Sequence, residues 1–268
     1  MTVRSFVAVG DSFTEGLEDD PGPDGRHRGW ADRVAAGLAV AQGQVRYANL
    51  AVRGKLLDQV VADQLPVALR LAPDLVSFQA GANDVLRPRA DLPALLRRYE
   101  DALAGLRVAG SRTLLFTVIE RTRPGRTADL LATRFGAFNA GVRAMAARQD
   151  ALLVDLAAEP VLADRRLFHS DRLHLAPEGH ARVAAAVLEE LGVTDRHVTG
   201  GPPGWWRVAA PGDPATSRRA DLVADVRWVH RHLLPWIGRR LRGVSSGDRV
   251  QPKHVELVDV LGPAPGPG

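Results

Sequence analysis

The sequence predicts an α/β fold: a central parallel β-sheet covered by helices on both faces. Three observations predict it. Short apolar runs alternate with longer stretches whose apolar residues recur at helical spacing. The runs are almost unbroken, as strands buried on both faces are. Glycine-bearing turns follow the first three runs, at the strand ends where open parallel sheets place their sites.

The elements follow in order. Val3, Phe6, Val7, Ala8 and Val9 form the first strand, ended by Gly10-Asp11-Ser12, and a polar Gly/Pro-rich loop runs from about 16 to 29. Trp30, Val34, Leu38 and Ala41 fall on one helical face, and Val45 to Leu50 reads as strand two. Leu56, Val60, Leu65 and Leu69 predict one further helix, with Pro66 an irregularity inside it. Leu75, Val76 and Phe78 make strand three after the punctuating Pro73-Asp74. Leu92, Leu95, Leu96, Tyr99, Leu103 and Leu106 are helical, Thr113 to Ile119 is strand four, and about 128 to 148 is an alanine-rich helix. Leu152 to Leu156 is strand five. A helix from Pro177 to Leu191 has its proline in the first turn and Gly192 just past its end.

Beyond about 194 the composition changes. Gly, Pro and Trp dominate to about 214, as in a linker or wrapping segment. Leu222, Val226, Val229, Leu233 and Ile237 then line one face of a basic amphipathic helix, expected to pack on the main domain ahead of touching a membrane surface or a partner. Residues 262–268 form a Gly/Pro tail. The expected division is therefore 1–194 and 195–268.

Composition removes several function classes. With no cysteine among 268 residues, disulfides, thiol nucleophiles and iron–sulfur clusters are excluded. The net charge of +4 does not point to nucleic acid: Lys55 and Lys253 are the only lysines, the arginines are scattered among acidic residues, and aromatics make up only 5%. The apolar run Phe6–Val9 stops at Gly10 before a signal-peptide core can form, and no segment approaches a membrane span. A soluble, cytoplasmic protein is the expectation.

A hydroxyl nucleophile needs a base, an orienter for that base, and donors where the oxyanion develops. Ser12 sits at a strand end between glycines that let the backbone turn and approach a substrate. Asp171 and His174 lie three residues apart just before a helix, a spacing that lets the carboxylate fix the imidazole tautomer. Asn83, in Gly81-Ala82-Asn83-Asp84, could aim its amide at an oxyanion, and Gly54 could offer a backbone N–H with no shielding Cβ. Each signal alone has a plain turn or cap explanation. Together they converge on one rim.

The four blocks, Gly10-Asp11-Ser12 with Gly16, Gly54 in its loop, Gly81-Ala82-Asn83-Asp84 and Asp171-Arg172-Leu173-His174, resemble those of the GDSL/SGNH hydrolase family. The resemblance covers roughly residues 3 to 192. It implies a flavodoxin-like three-layer fold and hydrolysis of carboxylic esters, with Ser12 as nucleophile, His174 as base and Asp171 as its orienter. It further implies an oxyanion hole from the Ser12 N–H, the Gly54 N–H and the Asn83 side chain, a small-molecule ester as substrate, and no cofactor or metal. Arg172 departs from the family, where many members carry a small residue. The alternatives left open are a catalytically silent acyl- or sugar-binding member and a thioesterase or lysophospholipase acting on longer chains.

Other matches are weaker. Gly243-Val244-Ser245-Ser246-Gly247 fits G-x-S-x-G, but lacks the preceding strand and following helix that the motif requires. Gly54-Lys55 lacks the Ser/Thr and the earlier glycine of a phosphate loop. His27, His169 and His180 show no metal-ligand spacing and read as lone surface or loop histidines.

Overall fold

The computed structural model describes residues 2–120, 126–209 and 246–263. Six strands build one sheet: β1 (Ser5–Gly10), β2 (Gln44–Asn49), β3 (Leu75–Gln79), β4 (Arg112–Phe116), β5 (Leu152–Val154) and β6 (His254–Leu261). Their spatial order is β5-β4-β3-β1-β2-β6. The first five are parallel, and β6 runs antiparallel along β2. The helices are α1 (Ser12–Glu15), α2 (Gly29–Gln42), α3 (Leu57–Asp63), α4 (Leu65–Leu71), α5 (Ala82–Val85), α6 (Leu92–Val108), α7 (Arg126–Gln149), α8 (Pro177–Glu190) and α9 (Arg196–Thr199).

All six β1 residues are buried, because the strand is central and covered on both sides. Its side chains alternate between two cores. Phe6 and Ala8 join Trp30, Val34 and Leu38 of α2 and Val183 and Val187 of α8. Val7 and Val9 join Leu57 and Val60 of α3, Leu103 of α6 and Val142 of α7. The expected three layers are thus present. Trp30 anchors the first core, its ring centroid 4.8 Å from Phe116 and 5.7 Å from Phe13.

The strand order sets the site. β1 has β3 on one side and β2 on the other, so the chain changes direction of winding there and opens a crevice at the C-terminal strand ends. Ser12 directly follows β1, Gly54 follows β2 and Asn83 follows β3.

Three local differences from the sequence expectation have physical causes. The single helix expected over Leu56 to Leu69 is two, α3 and α4, broken at Gln64, so that Pro66 sits in the first turn of α4, where its missing N–H costs nothing. Strand four ends at Phe116 instead of Ile119, because the Val118 N–H and carbonyl both bond to the Asn139 side chain in place of a neighbouring strand. The antiparallel strand β6 was not expected. It lies at an edge and carries Glu256 and Asp259 there, charges that discourage edge-to-edge pairing.

The Trp segment wraps α8: the Arg182 guanidinium donates to the Trp206 and Val208 carbonyls, and Trp206 Nε1 donates to Glu189. The helix expected over 222–237, the Ser245 motif and most of the tail lie outside the described residues. Among the described residues, no helix is long and apolar enough to cross a membrane.

Candidate active site

The nucleophile turn is fixed from both sides. Gln64, buried at the start of α4, accepts from the Gly10 N–H and donates to the Gly10 carbonyl, both at 2.9 Å, and so holds the end of β1 through its backbone. A Cβ on Gly10 would lie 2.5 Å from the Gln79 carbonyl and 2.7 Å from Thr14 Oγ1, so only glycine passes there. Asp11 then caps α1, its carboxylate accepting from the Phe13 N–H at 3.1 Å. Ser12 starts that four-residue turn and is partly exposed.

Ser12 and His174, 162 residues apart, meet. His174 Nε2 lies 3.1 Å from Ser12 Oγ, and His174 Nδ1 lies 2.6 Å from Asp171 Oδ2. The other Asp171 oxygen accepts from the Leu173 and His174 N–H groups at 2.9 and 3.1 Å. Burial would raise the Asp171 carboxyl, but the His174 hydrogen bond and charge and those backbone donors outweigh it, lowering it to about 2. Asp171 is therefore an anion at any pH near neutral.

The loop carrying the pair is braced as a small hairpin, with Phe168 bridged to Leu175 and the His169 N–H bonded to the His174 carbonyl. Arg172 occupies its tight turn with φ +60°, a conformation that a residue with a Cβ adopts at some cost. That gives a backbone reason for glycine at this position.

Gly54 and Asn83 face the same rim. Gly54 has φ +76°, which lets its loop turn tightly after β2. The Asn83 amide donates to Asp11 Oδ2 and to the Lys55 carbonyl, each at 3.1 Å, so it ties the third block to the first and to the Gly54 loop.

Three side chains partner the site through contacts that the sequence does not announce. Asp11 is buried beside Asn83, and burial raises its carboxyl to about 6 against the opposing Phe13 N–H and His174 charge. Glu15, also buried, grips the Arg53 guanidinium with both carboxylate oxygens and accepts the Arg53 N–H at 2.6 Å. This clamp joins the nucleophile turn to the residue preceding Gly54. Gln64 is the third. The bonds span 72, 38 and 54 residues, so no spacing in the sequence announces them.

His180 and His169 sit in different surroundings. His180 is not a surface residue: it is 1% exposed inside α8, bonded through Nε2 to the Leu17 carbonyl, and burial lowers it to about 4 despite the Asp19 charge. His169 stands with Glu18 and Asp171, one ligand-type atom from each lying within 4.8 Å of the others. Asp171 is already committed to His174, and Glu18 approaches the His169 Nε2 at 3.5 Å.

No curated protein matches the chain. Solved structures do. TesA is similar over 70% of this chain and 97% of its own, with 23% identity and a TM-score of 0.59. An acetylxylan esterase, Axe2 from Geobacillus stearothermophilus, is similar over 70% and 94%, with 22% identity and a TM-score of 0.58. A lipase/acylhydrolase from Enterococcus faecalis is similar over 70% and 95%, with 23% identity and a TM-score of 0.58. At these identities the likeness establishes the shared fold. A family model covers residues 8–182, from β1 into α8 and including every block described above. The chain belongs to the GDSL-like lipase/acylhydrolase family.

Proposed function

We propose that the protein hydrolyses carboxylic esters of small-molecule substrates through a covalent intermediate on Ser12. The observation that carries this reading is the unbroken hydrogen-bond relay from Ser12 Oγ through the His174 ring to Asp171. His174 Nε2 takes the hydroxyl proton as Ser12 Oγ attacks the ester carbonyl carbon, giving a tetrahedral oxyanion and an imidazolium. The ionised Asp171 holds the Nδ1 proton and stabilises that imidazolium. Collapse breaks the bond to the alcohol, which leaves with the proton from Nε2. Water then repeats the sequence on the acyl-Ser12, with His174 again as base, and releases the carboxylic acid.

The oxyanion is stabilised by the Ser12 and Gly54 N–H groups and by the Asn83 amide. Both Asn83 donors have protein acceptors in the resting site, so the side chain serves the oxyanion by releasing one of them. Family membership and the esterase fold of the similar structures support ester hydrolysis.

The test is labelling by a fluorophosphonate probe together with turnover of p-nitrophenyl esters of graded chain length. The wild-type protein is expected to label at Ser12, and both Ser12→Ala and His174→Ala to lose labelling and turnover, since members of a triad act as a unit. Labelling that persists in Ser12→Ala refutes the assignment.

A further inference from the structure

His180 is a buried titratable side chain that the chemistry at Ser12 does not use. It sits in the first turn of α8, shortly after His174 in the chain. Its ring Nε2 lies 3.2 Å from the carbonyl oxygen of Leu17, which closely follows Ser12. The block that carries the base therefore reaches the nucleophile segment by a second bond. His174 meets Ser12 Oγ, and His180 meets the backbone just beyond it.

Both ends of this second bond are tied to the catalytic residues beside them. On the α8 side, the hairpin bearing His174 is closed by the Phe168–Leu175 bridge, and the Ala176 N–H donates to the Leu167 carbonyl at 2.9 Å. The His180 N–H then donates to the Ala176 carbonyl at 3.0 Å. The helix is seated so closely on the hairpin that a Cβ on Gly179 would lie 2.3 Å from the Leu167 carbonyl oxygen. On the other side, the Gly16 and Leu17 N–H groups both donate to the Ser12 carbonyl at 3.1 Å. Gly16 is packed in turn on the start of α2, where its Cβ would lie 2.3 Å from Gly29 Cα. In packing this dense, neither His180 nor Leu17 shifts without carrying its catalytic neighbour along.

The bond also fixes the state of the ring. A carbonyl only accepts, so Nε2 carries the proton. The bare nitrogen is then Nδ1, which is buried without a hydrogen-bond partner among the described residues. Burial keeps the ring neutral, lowering it to about 4 against the Asp19 charge, with Arg33 and Lys253 adding to the effect. A neutral imidazole has one N–H, and here it is spent on Leu17. An apolar side chain would fill the same space without burying an unpaired nitrogen. It would lack only the donor.

We propose that His180 is a positioning residue: its Nε2–H bond to the Leu17 carbonyl holds the nucleophile turn and the base-bearing block at the separation that brings His174 Nε2 to Ser12 Oγ. This rests on His174 acting as the base for Ser12. At 1% exposure His180 is out of a substrate's reach, so its loss acts on proton transfer and leaves substrate binding alone.

The experiment compares the wild type with His180→Met, His180→Asn and His180→Gln in turnover of p-nitrophenyl acetate. The kcat is expressed per Ser12 labelled by a fluorophosphonate, so that only competent sites are counted. Methionine has no donor, the asparagine amide falls at the ring Nδ1 and stops short of Leu17, and the glutamine amide reaches about as far as the ring Nε2. His180→Met and His180→Asn are each expected to lower kcat by about tenfold or more with KM within about twofold. Both are expected to slow fluorophosphonate labelling by a similar factor, because that reaction needs the same proton removed. His180→Gln is expected to stay within about threefold of the wild type. The proposal is overturned if either short variant, assayed below its Tm, keeps the wild-type kcat. It is also overturned if a folded His180→Gln is as slow as they are, since the shape of the ring and not its donor would then matter. Nitrogen-15 NMR of the wild-type histidines checks the bond without a substitution: His180 is expected to be neutral with its proton on Nε2 at pH 7, and a proton on Nδ1 overturns the proposal. Failure of the wild type to label at Ser12 overturns the hydrolase reading, whereas normal labelling with unimpaired short variants overturns the positioning role alone.

Discussion

Asp11 works against the stability of the fold that holds it. Burial raises its carboxyl from the usual 3.8 to about 6, with the Asp84 and Glu15 charges adding to the effect. The sign follows from linkage: the folded state holds this proton more tightly than the unfolded chain does. The favourable contribution is therefore complete below about pH 3.8 and is lost as pH rises through about 6. Above that pH the ionised side chain costs the fold at most about 3 kcal/mol, at 1.36 kcal/mol per pKa unit. The same ionised oxygen accepts one hydrogen of the Asn83 amide. Asp11→Asn is therefore expected to raise Tm at pH 7.5, since the buried charge is gone. Its own amide would face that of Asn83, so kcat/KM is expected to fall at least tenfold. Thermal melts and ester kinetics on one preparation check both signs, and a Tm that drops at pH 7.5 contradicts the argument. Asn83 stands out in the sequence because it lies in a block that resembles the family's, and the oxyanion role proposed for it comes from that resemblance. Asp11 was legible only as part of a turn, because its role comes from a contact made 72 residues away.

The elements show the same division. Strands β1 to β5 could be read in the sequence because each is a short apolar run that must be buried on one or both faces. The apolar residues of β6, Val255, Leu257, Val258, Val260 and Leu261, also carry a strand signal. Nothing in that signal says that the strand runs antiparallel or that it joins β2. The break between α3 and α4 was hidden because Gln64 looks like an ordinary helix residue. Its side chain is spent on the Gly10 backbone in the neighbouring element. Between elements, the Glu15–Arg53 clamp is one of the connections that align the turn bearing Ser12 with the loop bearing Gly54. Glu15→Gln keeps the size and can still accept the Arg53 N–H, but loses the charge that orients the guanidinium. It is expected to lower kcat by about 10-fold or more while KM changes little. That is the pattern for loss of an interaction made mainly in the transition state. Glu15→Ala should be worse, because it also releases the backbone N–H of Arg53. Equal kcat values for wild type and Glu15→Gln would show that the loop holds its shape without the ion pair.

Across the whole molecule, one polar chain connects the C-terminal segment to the nucleophile turn. Lys253 donates to Asp32, Tyr47 donates to the other oxygen of Asp32, Asn49 donates to the Tyr47 hydroxyl, and Asn49 also donates to the Thr14 carbonyl in α1. It passes between α2 and β2 under the start of β6, so the added strand is coupled to the family core by more than its ladder of backbone bonds. Burial raises the Asp32 carboxyl, and Lys253 and Tyr47 pull against that rise. Removing the cation with Lys253→Met leaves a buried carboxylate short of its main counter-charge. Breaking a buried pair in this way typically costs about 3–5 kcal/mol. Here the cost must depend on pH. Without Lys253 the Asp32 carboxyl rises further and takes a proton as the solution is acidified, which relieves the unpaired charge. The Tm difference between wild type and Lys253→Met is therefore expected to be larger at pH 8 than at pH 5. Hydrogen exchange in β6 is expected to quicken before exchange in β1 or β3, because the pin holds the edge strand and not the centre of the sheet. A Tm difference that is the same at both pH values would mean that Asp32 gains its stabilisation from Tyr47 alone, and that the C-terminal strand is held by its backbone ladder without help from the pin.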